Sequence, residues 1–349
     1  MEILLLFLAR FLLGELYGFP PSIIFLIILL IIIHNSLSNP IHFLRISNSF
    51  RAYYIAISLL LLISLFNKDL DSILNILILF TLPFISFKSQ KYFKYITYFV
   101  IISSIIYSIS IFIDFNIYVN RSHNYLLLGR GILTCQVFLL FTNNFKFKYH
   151  KLLKLLVSFL FLSSLAIMHG RLNAIVSLLL IFLFFLKNYK YSWLFLSLIG
   201  VFATSIIVNF ISTLNIGTIK RLINDQDSIS ERTGLYHSAF DELLNVQNLF
   251  FGGGLDFSNE IAMNTVGYPY LHNLPLELLL DFGLFSVPFL LIWGFMLFRS
   301  SKIIFFRKEI LLPVLLFVET FQFLKSFEFN QSISLFLIIT LLINEKNEL

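Results

Sequence analysis

Long apolar stretches follow one another along this chain, and each ends at a short polar break. A helix needs about 20 apolar residues to cross the hydrocarbon core of a bilayer. With 58% hydrophobic and 13% charged residues, the chain cannot be a water-soluble globule. We predict an all-α, polytopic integral membrane protein, a single multi-span domain over residues 1–349. Its about 12 transmembrane helices are placed at 3–18, 21–36, 51–66, 70–87, 93–113, 124–142, 152–169, 171–187, 191–209, 275–298, 309–323 and 329–344.

The basic residues predict how these helices are oriented. Lysine and arginine collect in cytoplasmic loops, and most of the 25 basic residues here lie in alternate loops, among them Lys151 and Lys154. The opposite short loops hold only Lys68, Arg121, Arg171 and Lys325. We therefore expect both termini in the cytoplasm, and we assign the net charge of +6 to membrane orientation rather than to a nucleic-acid partner.

One connection is long enough to hold a folded element, the predicted extracytoplasmic loop at 209–274. Ser228 and Glu231 have the spacing of a capping box, which opens helices. Leu235, Ala239 and Leu243 follow at helical spacing and predict an amphipathic helix at about 229–246. Such a helix could lie on the membrane surface or over a cavity between spans.

Four ionisable residues map to the same outer face and form the main candidate site. Arg232 lies in the first turn of the amphipathic helix, Arg130 lies inside the span 124–142, and Arg171 opens a span. His272 precedes the span 275–298 and could act as a general base. Because arginine presents a planar fork that matches phosphate oxygens, the set suits a lipid-linked pyrophosphate. Structural readings stay open for each: a solvated Arg232, a snorkelling Arg130, a helix-end Arg171 and an interfacial His272.

Five further residues are secondary candidates around this site. Gly252 and Gly254 allow a close backbone approach, Glu277 suits the first turn of the following span, and Tyr236 and Asn273 adjoin the main candidates. The sequence contains no H-E-x-x-H, no Asp-rich motif and no phosphate-binding loop of the NTPase type. No metal site and no cofactor are therefore predicted.

The candidates recur as an ordered set of short motifs. In chain order they are His169-Gly170-Arg171, Ser230-Glu231-Arg232-x-x-x-Tyr236-x-x-Ala239, Gly252-Gly253-Gly254, and His272-Asn273-x-x-x-Glu277-x-x-x-x-x-Gly283. In order and spacing this set resembles the O-antigen polymerase and O-antigen ligase superfamily of bacterial membrane glycosyltransferases. The motifs cover about 171–290, and the rest of the chain is similar in topology and hydropathy alone.

The resemblance implies a glycosyltransferase-C-like helical fold in the bacterial cytoplasmic (inner) membrane, with the large loop in the periplasm. It also implies an inverting, metal-independent transfer of a glycan from undecaprenyl pyrophosphate. Arg171 and Arg232 would bind the donor pyrophosphate, and His272 would activate or position the acceptor hydroxyl. Two departures stand out, because Gly170 replaces the Ser or Thr that the family often carries and Arg130 matches no family position. A chain-length regulator protein is a candidate partner beside the lipid-linked oligosaccharide and membrane lipid.

Three activities compete for this set of residues. A polymerase would use a second lipid-linked repeat unit as acceptor, and a ligase would use the lipid A core. The short chain and its 43 phenylalanines favour the polymerase, of O-antigen or of another surface polysaccharide. A flippase or other transporter also commonly has 12 spans with both ends inside, but its polar groups belong near the bilayer midplane.

Overall fold

The computed structural model describes residues 50–66, 124–142, 150–167, 171–188, 227–254, 256–268, 271, 273–307, 310–324 and 333–345, with isolated positions between 73 and 109. The predicted spans 3–18, 21–36 and 191–209 lie outside these residues. Every regular element in the described ranges is an α-helix or a short 3₁₀ helix, which confirms the all-α class. The count of 12 spans and their orientation stay predictions.

The helices are numbered in chain order. They are α1 (Arg51–Phe66), α2 (Asn124–Phe141), α3 (His150–Ile167), α4 (Arg171–Asn188), α5 (Asp227–Leu243), α6 (Val246–Phe251), α7 (Phe257–Val266), α8 (Leu274–Phe282), α9 (Val287–Phe306), α10 (Leu311–Phe323) and α11 (Ile333–Glu345), with 3₁₀ turns at Leu82–Phe84 and Gly283–Ser286. They fall into two compact units. The central unit spans residues 89–226 and contains α2 to α4, and the main unit comprises residues 1–88 and 227–349.

In the central unit, α2, α3 and α4 pack against one another through apolar faces and a few polar contacts. The Gln136 side chain donates to the backbone carbonyl of Ser177, which joins α2 to α4. The Lys154 ammonium donates to the carbonyls of Leu140 and Thr142 at 3.1 and 2.6 Å. Lys154 was expected in a cytoplasmic loop, but it lies in α3 and is buried at the end of α2, where the last carbonyls of a helix attract a cation.

In the main unit, α9 is the centre of the apolar packing. Its Phe289 ring stacks on Phe336 of α11 with centroids 4.1 Å apart, and its Trp293 indole donates to the Thr320 hydroxyl of α10 at 2.9 Å. The opposite face of α9 is also apolar but exposed, at Leu291, Phe295 and Phe298. A helix that is apolar all round fits a lipid environment.

One continuous helical segment among the described residues, Leu274–Phe306, is long and apolar enough to cross a membrane, with a mean hydropathy of 2.0. Shorter apolar helices are Arg51–Phe66, Gly129–Phe141, Asn173–Asn188 and Leu311–Phe323. Exposed apolar side chains also line α1, α3 and α4 at helical spacing. Soluble monomers rarely expose so much continuous apolar surface.

The large loop contains more structure than the sequence predicts. Its amphipathic helix runs from Asp227 to Leu243, whereas the apolar stripe indicated 229–246. Arg232 was predicted in the first turn, but it is the sixth residue of the helix and lies in the second turn, because the helix begins earlier than the stripe indicated. Two further helices, α6 and α7, follow it and were not predicted. They have six and ten residues, which is too short for a periodic apolar stripe to stand out.

Candidate functional site

The helix that carries Arg232 and Tyr236 packs on the segment that carries His272. Leu235 and Ala239 of α5 are fully buried in one apolar cluster with Leu271 and Leu276. Leu235 lies almost one turn beyond Arg232, and Leu271 directly precedes His272. His272 itself lies outside the described residues. The cluster therefore holds the backbone on both sides of the predicted base against the arginine-bearing helix.

Tyr268 is a neighbour of Arg232 that no sequence motif indicated. Its phenol is partly buried, and burial raises its pKa above the ordinary value of 10.0. The neighbouring Glu231 carboxylate raises the pKa further, while the Arg232 guanidinium lowers it. Tyr236 is close enough to contribute as well. Since the phenol stays protonated near neutral pH, Tyr268 offers a hydrogen-bond donor beside Arg232.

The start of α8 is fixed by Asn273. The Asn273 side chain accepts a hydrogen bond from the Leu276 amide at 3.2 Å, and its carbonyl accepts from the Glu277 amide at 2.9 Å. Pro275 suits the first turn of the helix. Glu277 is buried in that turn, where the helix dipole favours a carboxylate. Asn273 thus acts as a helix cap in the structure.

The three glycines after α6 form a turn that docks on the end of α8. The Gly253 amide donates to Leu280 and the Gly254 amide to Asp281, at 2.8 and 3.1 Å. The Gly252 amide donates to Asn248. Gly252 has φ +70°, and a Cβ there would lie 2.2 Å from the Asp281 carbonyl oxygen. The close approach expected of the glycines is made to α8, and their amides donate within the protein.

Asp281 completes this junction with its side chain. It is buried, and its carboxylate accepts the Ser258 amide at 2.9 Å. Ser258 is the second residue of α7, whose own cap position, Asp256, makes no side-chain cap. A carboxylate from α8 therefore caps α7. The signal that could have identified Asp281 is its position as a charged residue inside an apolar run.

In the central unit, Arg130 lies next to the start of α4. Arg130 is 6% exposed, so protein encloses it and it does not extend to the surface. Its neighbour Gly129 is in tight contact with Asn173, because a Cβ at Gly129 would lie 2.0 Å from the Asn173 amide nitrogen. Asn173 follows Arg171 by two residues, and α4 begins at Arg171. This contact brings the helix turn of Arg130 to the first turn of α4.

The described residues contain no group of three or more His, Cys, Asp or Glu side chains that could hold a metal ion. In the main unit, the described candidate residues are Arg232, Tyr236, Asn273 and the buried Glu277, with Tyr268 beside Arg232.

Comparison with known proteins adds one finding. Residues 155–293 match the family described as O-antigen ligase. The match begins in α3, ends in α9, and includes Arg171, Arg232, Tyr236, His272 and Glu277. No curated protein and no solved structure matches the chain significantly. Over this segment, which is less than half of the chain, the sequence is similar to the O-antigen ligase family.

Proposed function

We propose that this protein is a surface-polysaccharide polymerase, most simply of O-antigen. It transfers a glycan from undecaprenyl pyrophosphate onto a second lipid-linked repeat unit at the periplasmic face of the inner membrane. The proposal includes about 12 spans, a glycosyltransferase-C-like arrangement, cytoplasmic termini and a periplasmic loop at 209–274. A chain-length regulator is a proposed protein partner.

One observation supports the proposal most directly. The family match covers the segment in which Leu235 and Leu271 share one buried cluster, so Arg232 and the flanks of His272 lie on neighbouring elements. Tyr236 and Tyr268 adjoin Arg232 at the same place. An arginine, two phenols and a histidine can bind a phosphorylated sugar and accept a proton.

The proposed reaction is a direct displacement at the donor sugar. The acceptor hydroxyl oxygen attacks the anomeric carbon, the bond from that carbon to the pyrophosphate oxygen breaks, and the configuration inverts. His272 takes the hydroxyl proton, which contributes about 10²–10⁴ in rate as general-base catalysis. The pyrophosphate leaves with the bonding electron pair, and no metal ion is required.

The arginines stabilise the leaving group in this scheme. Arg232 and Arg171 contact the pyrophosphate oxygens, whose charge increases as the bond breaks. Arg130 supports Arg171 from α2, since its turn lies against the first turn of α4. The backbone amides at the start of α4, where Arg171 lies, add positive potential at that position. Tyr268 donates a hydrogen bond to a phosphate or sugar oxygen.

A ligase is the second candidate, because the matched family is described as O-antigen ligase. The chemistry is the same, and only the acceptor differs. Deletion of the gene separates the two activities by the lipopolysaccharide that remains. A polymerase mutant produces core capped with a single repeat unit. A ligase mutant produces bare core and accumulates lipid-linked polymer.

Complementation then tests the site itself. The wild-type gene should restore long chains, whereas Arg232→Ala at equal protein level should not. Asp241→Ala is the matched control, since Asp241 is an exposed charged residue on the same helix. Normal long chains from the Arg232→Ala variant would contradict the assigned role of Arg232.

A further inference from the structure

The segment that joins α5 to α6 presents an apolar surface without charge. From Leu243 to Phe251 the chain has no Asp, Glu, Lys or Arg. Leu244 is 80% exposed, Val246 68% and Phe250 48%. In water these side chains would form a costly hydrophobic patch. The segment therefore requires an apolar partner.

The polar groups of this segment are largely satisfied locally. The Asn245 side chain accepts from the Gln247 amide at 3.0 Å and so caps α6. The side-chain amide of Asn248 donates to the carboxylate and to the backbone carbonyl of Glu242. These contacts lower the cost of moving the segment out of water, because an unsatisfied polar group in lipid is expensive.

An aromatic stack links α6 to the end of α1 and to the 3₁₀ turn before α9. The Phe251 ring stacks on Phe66 at 6.4 Å and on Phe285 at 6.2 Å between centroids. Phe66 is the last residue of α1, and Phe285 lies in the turn before α9. The 20 residues of α9 span about 30 Å, the thickness of a hydrocarbon core. The stack therefore lies at the end of a helix of membrane length.

The exposed face of α1 continues this surface. Ile55, Leu62 and Leu65 are exposed on α1, and Phe66 follows them at 75% exposure. From Phe66 the apolar surface passes to Phe251 through the stack and then along α6. The exposed apolar face of α1 therefore runs without a break onto the loop segment.

We propose that residues Leu244–Phe251 insert into the extracytoplasmic leaflet, with lipid acyl chains as their partner. The Phe66–Phe251–Phe285 stack marks the boundary of the hydrocarbon core on that side. The segment anchors the loop helices at the membrane surface, where a lipid-linked substrate would arrive. The absence of charge favours acyl chains over headgroups as the contact.

Spin labelling in nanodiscs tests this proposal without requiring activity. Cysteines are introduced by Val246→Cys or Phe250→Cys, with Asn264→Cys on α7 as the exposed polar control. The chain has one native cysteine, the buried Cys135, so the unsubstituted protein provides the labelling blank. Oxygen partitions into acyl chains, while a water-soluble nickel chelate remains outside. Their relative effects on label relaxation report depth.

We expect labels at 246 and 250 to be more accessible to oxygen than to nickel, and the label at 264 to show the reverse. Nickel accessibility at 246 and 250 equal to that at 264 would overturn the proposal, because the segment would lie in water. Protection from both reagents would also overturn it, since protein would then cover the surface. Monodisperse behaviour in detergent checks that each variant folds. Two labelled positions are used so that the test remains possible if one variant does not fold. The labels report position alone, so their result is independent of glycosyl transfer.

Discussion

The α2–α4 bundle and the α5–α8 assembly hold their charged groups by different means. In the bundle, Arg130 is buried where its helix turn meets Asn173 of α4, and the Gln136 side chain donates across to Ser177. In the assembly, short helices are joined by backbone contacts, with Gly253 and Gly254 donating to the end of α8 and Asp281 capping α7. The first region depends on side-chain packing and the second on a few backbone junctions. Single changes at those junctions should therefore be the more damaging ones.

Gly252→Ala should have the largest effect. It adds a Cβ at φ +70° that would lie 2.2 Å from the Asp281 carbonyl oxygen. Backbone strain and overpacking each cost about 1–3 kcal/mol. We therefore expect the free energy of unfolding to fall by about 2–6 kcal/mol, a large share of its typical value. Thermal unfolding in detergent measures the loss.

Gly267→Ala is the control for this substitution. Gly267 also has positive φ, at +79°, but a Cβ at this position would have no neighbouring atom within 4 Å. Only the cost of the backbone conformation remains, about 1–2 kcal/mol. Equal losses for the two variants would show that the docking of the turn on α8 contributes nothing.

Asp281→Ala should have the next largest effect. It leaves the Ser258 amide buried without its carboxylate acceptor, which costs about 1–3 kcal/mol. Asp281→Asn retains an acceptor oxygen and should recover part of that loss. Thermal unfolding of both variants is compared with that of Asp241→Asn, an exposed site on α5. Equal losses of stability in Asp281→Asn and Asp281→Ala would contradict the role of the Asp281 side-chain oxygen as acceptor of the Ser258 amide.

Gly129→Ala tests the central unit and should have a smaller effect. The added Cβ would meet the Asn173 side chain, which can shift, whereas Gly252 faces backbone. We expect a loss of about 1 kcal/mol, at the low end of overpacking costs. Gly294→Ala in α9 has open space around it and should be neutral or stabilising. If Gly129→Ala destabilised as strongly as Gly252→Ala, the contrast between the two regions would be lost.

The smallest effect is expected from the pH dependence of Tyr268. Because its pKa is raised above 10.0 in the folded state, the folded protein holds this proton more tightly than the unfolded chain. The contribution to stability is complete below pH 10 and is lost as the pH rises further. Tyr268→Phe should therefore unfold like the wild type at pH 7 and lose less stability above pH 10. Parallel stability profiles for the two proteins at high pH would refute this.

The two regions also differ in how far sequence predicts them. Hydropathy and polar breaks placed α2, α3 and α4 to within about two residues, since a membrane helix is long and apolar. The count of basic residues misplaced Lys154, although the predicted span 152–169 contains it, because such a count cannot distinguish a loop lysine from one that caps a neighbouring helix. Hydropathy placed Arg130 inside a span but did not predict that its side chain is buried.

In the loop, the motifs made Arg232 and Tyr236 candidates and predicted the close approach at Gly252, but not what the glycines approach. The Asp281 cap joins residues 23 positions apart, and no local pattern predicts such a contact. Tyr268 was missed for the same reason, since its place beside Arg232 depends on how α5 packs. Tertiary contacts determine this part of the site.

The most direct test of the central claim is elongation of a lipid-linked oligosaccharide by purified protein in detergent. We predict that the wild type and Asp241→Ala extend the glycan at similar rates without added metal or nucleotide. Arg232→Ala should be slower by about 10²–10³, the usual cost of removing one donor to a developing anion, and His272→Ala by about 10²–10⁴. Elongation by Arg232→Ala at the rate of Asp241→Ala would contradict the claim.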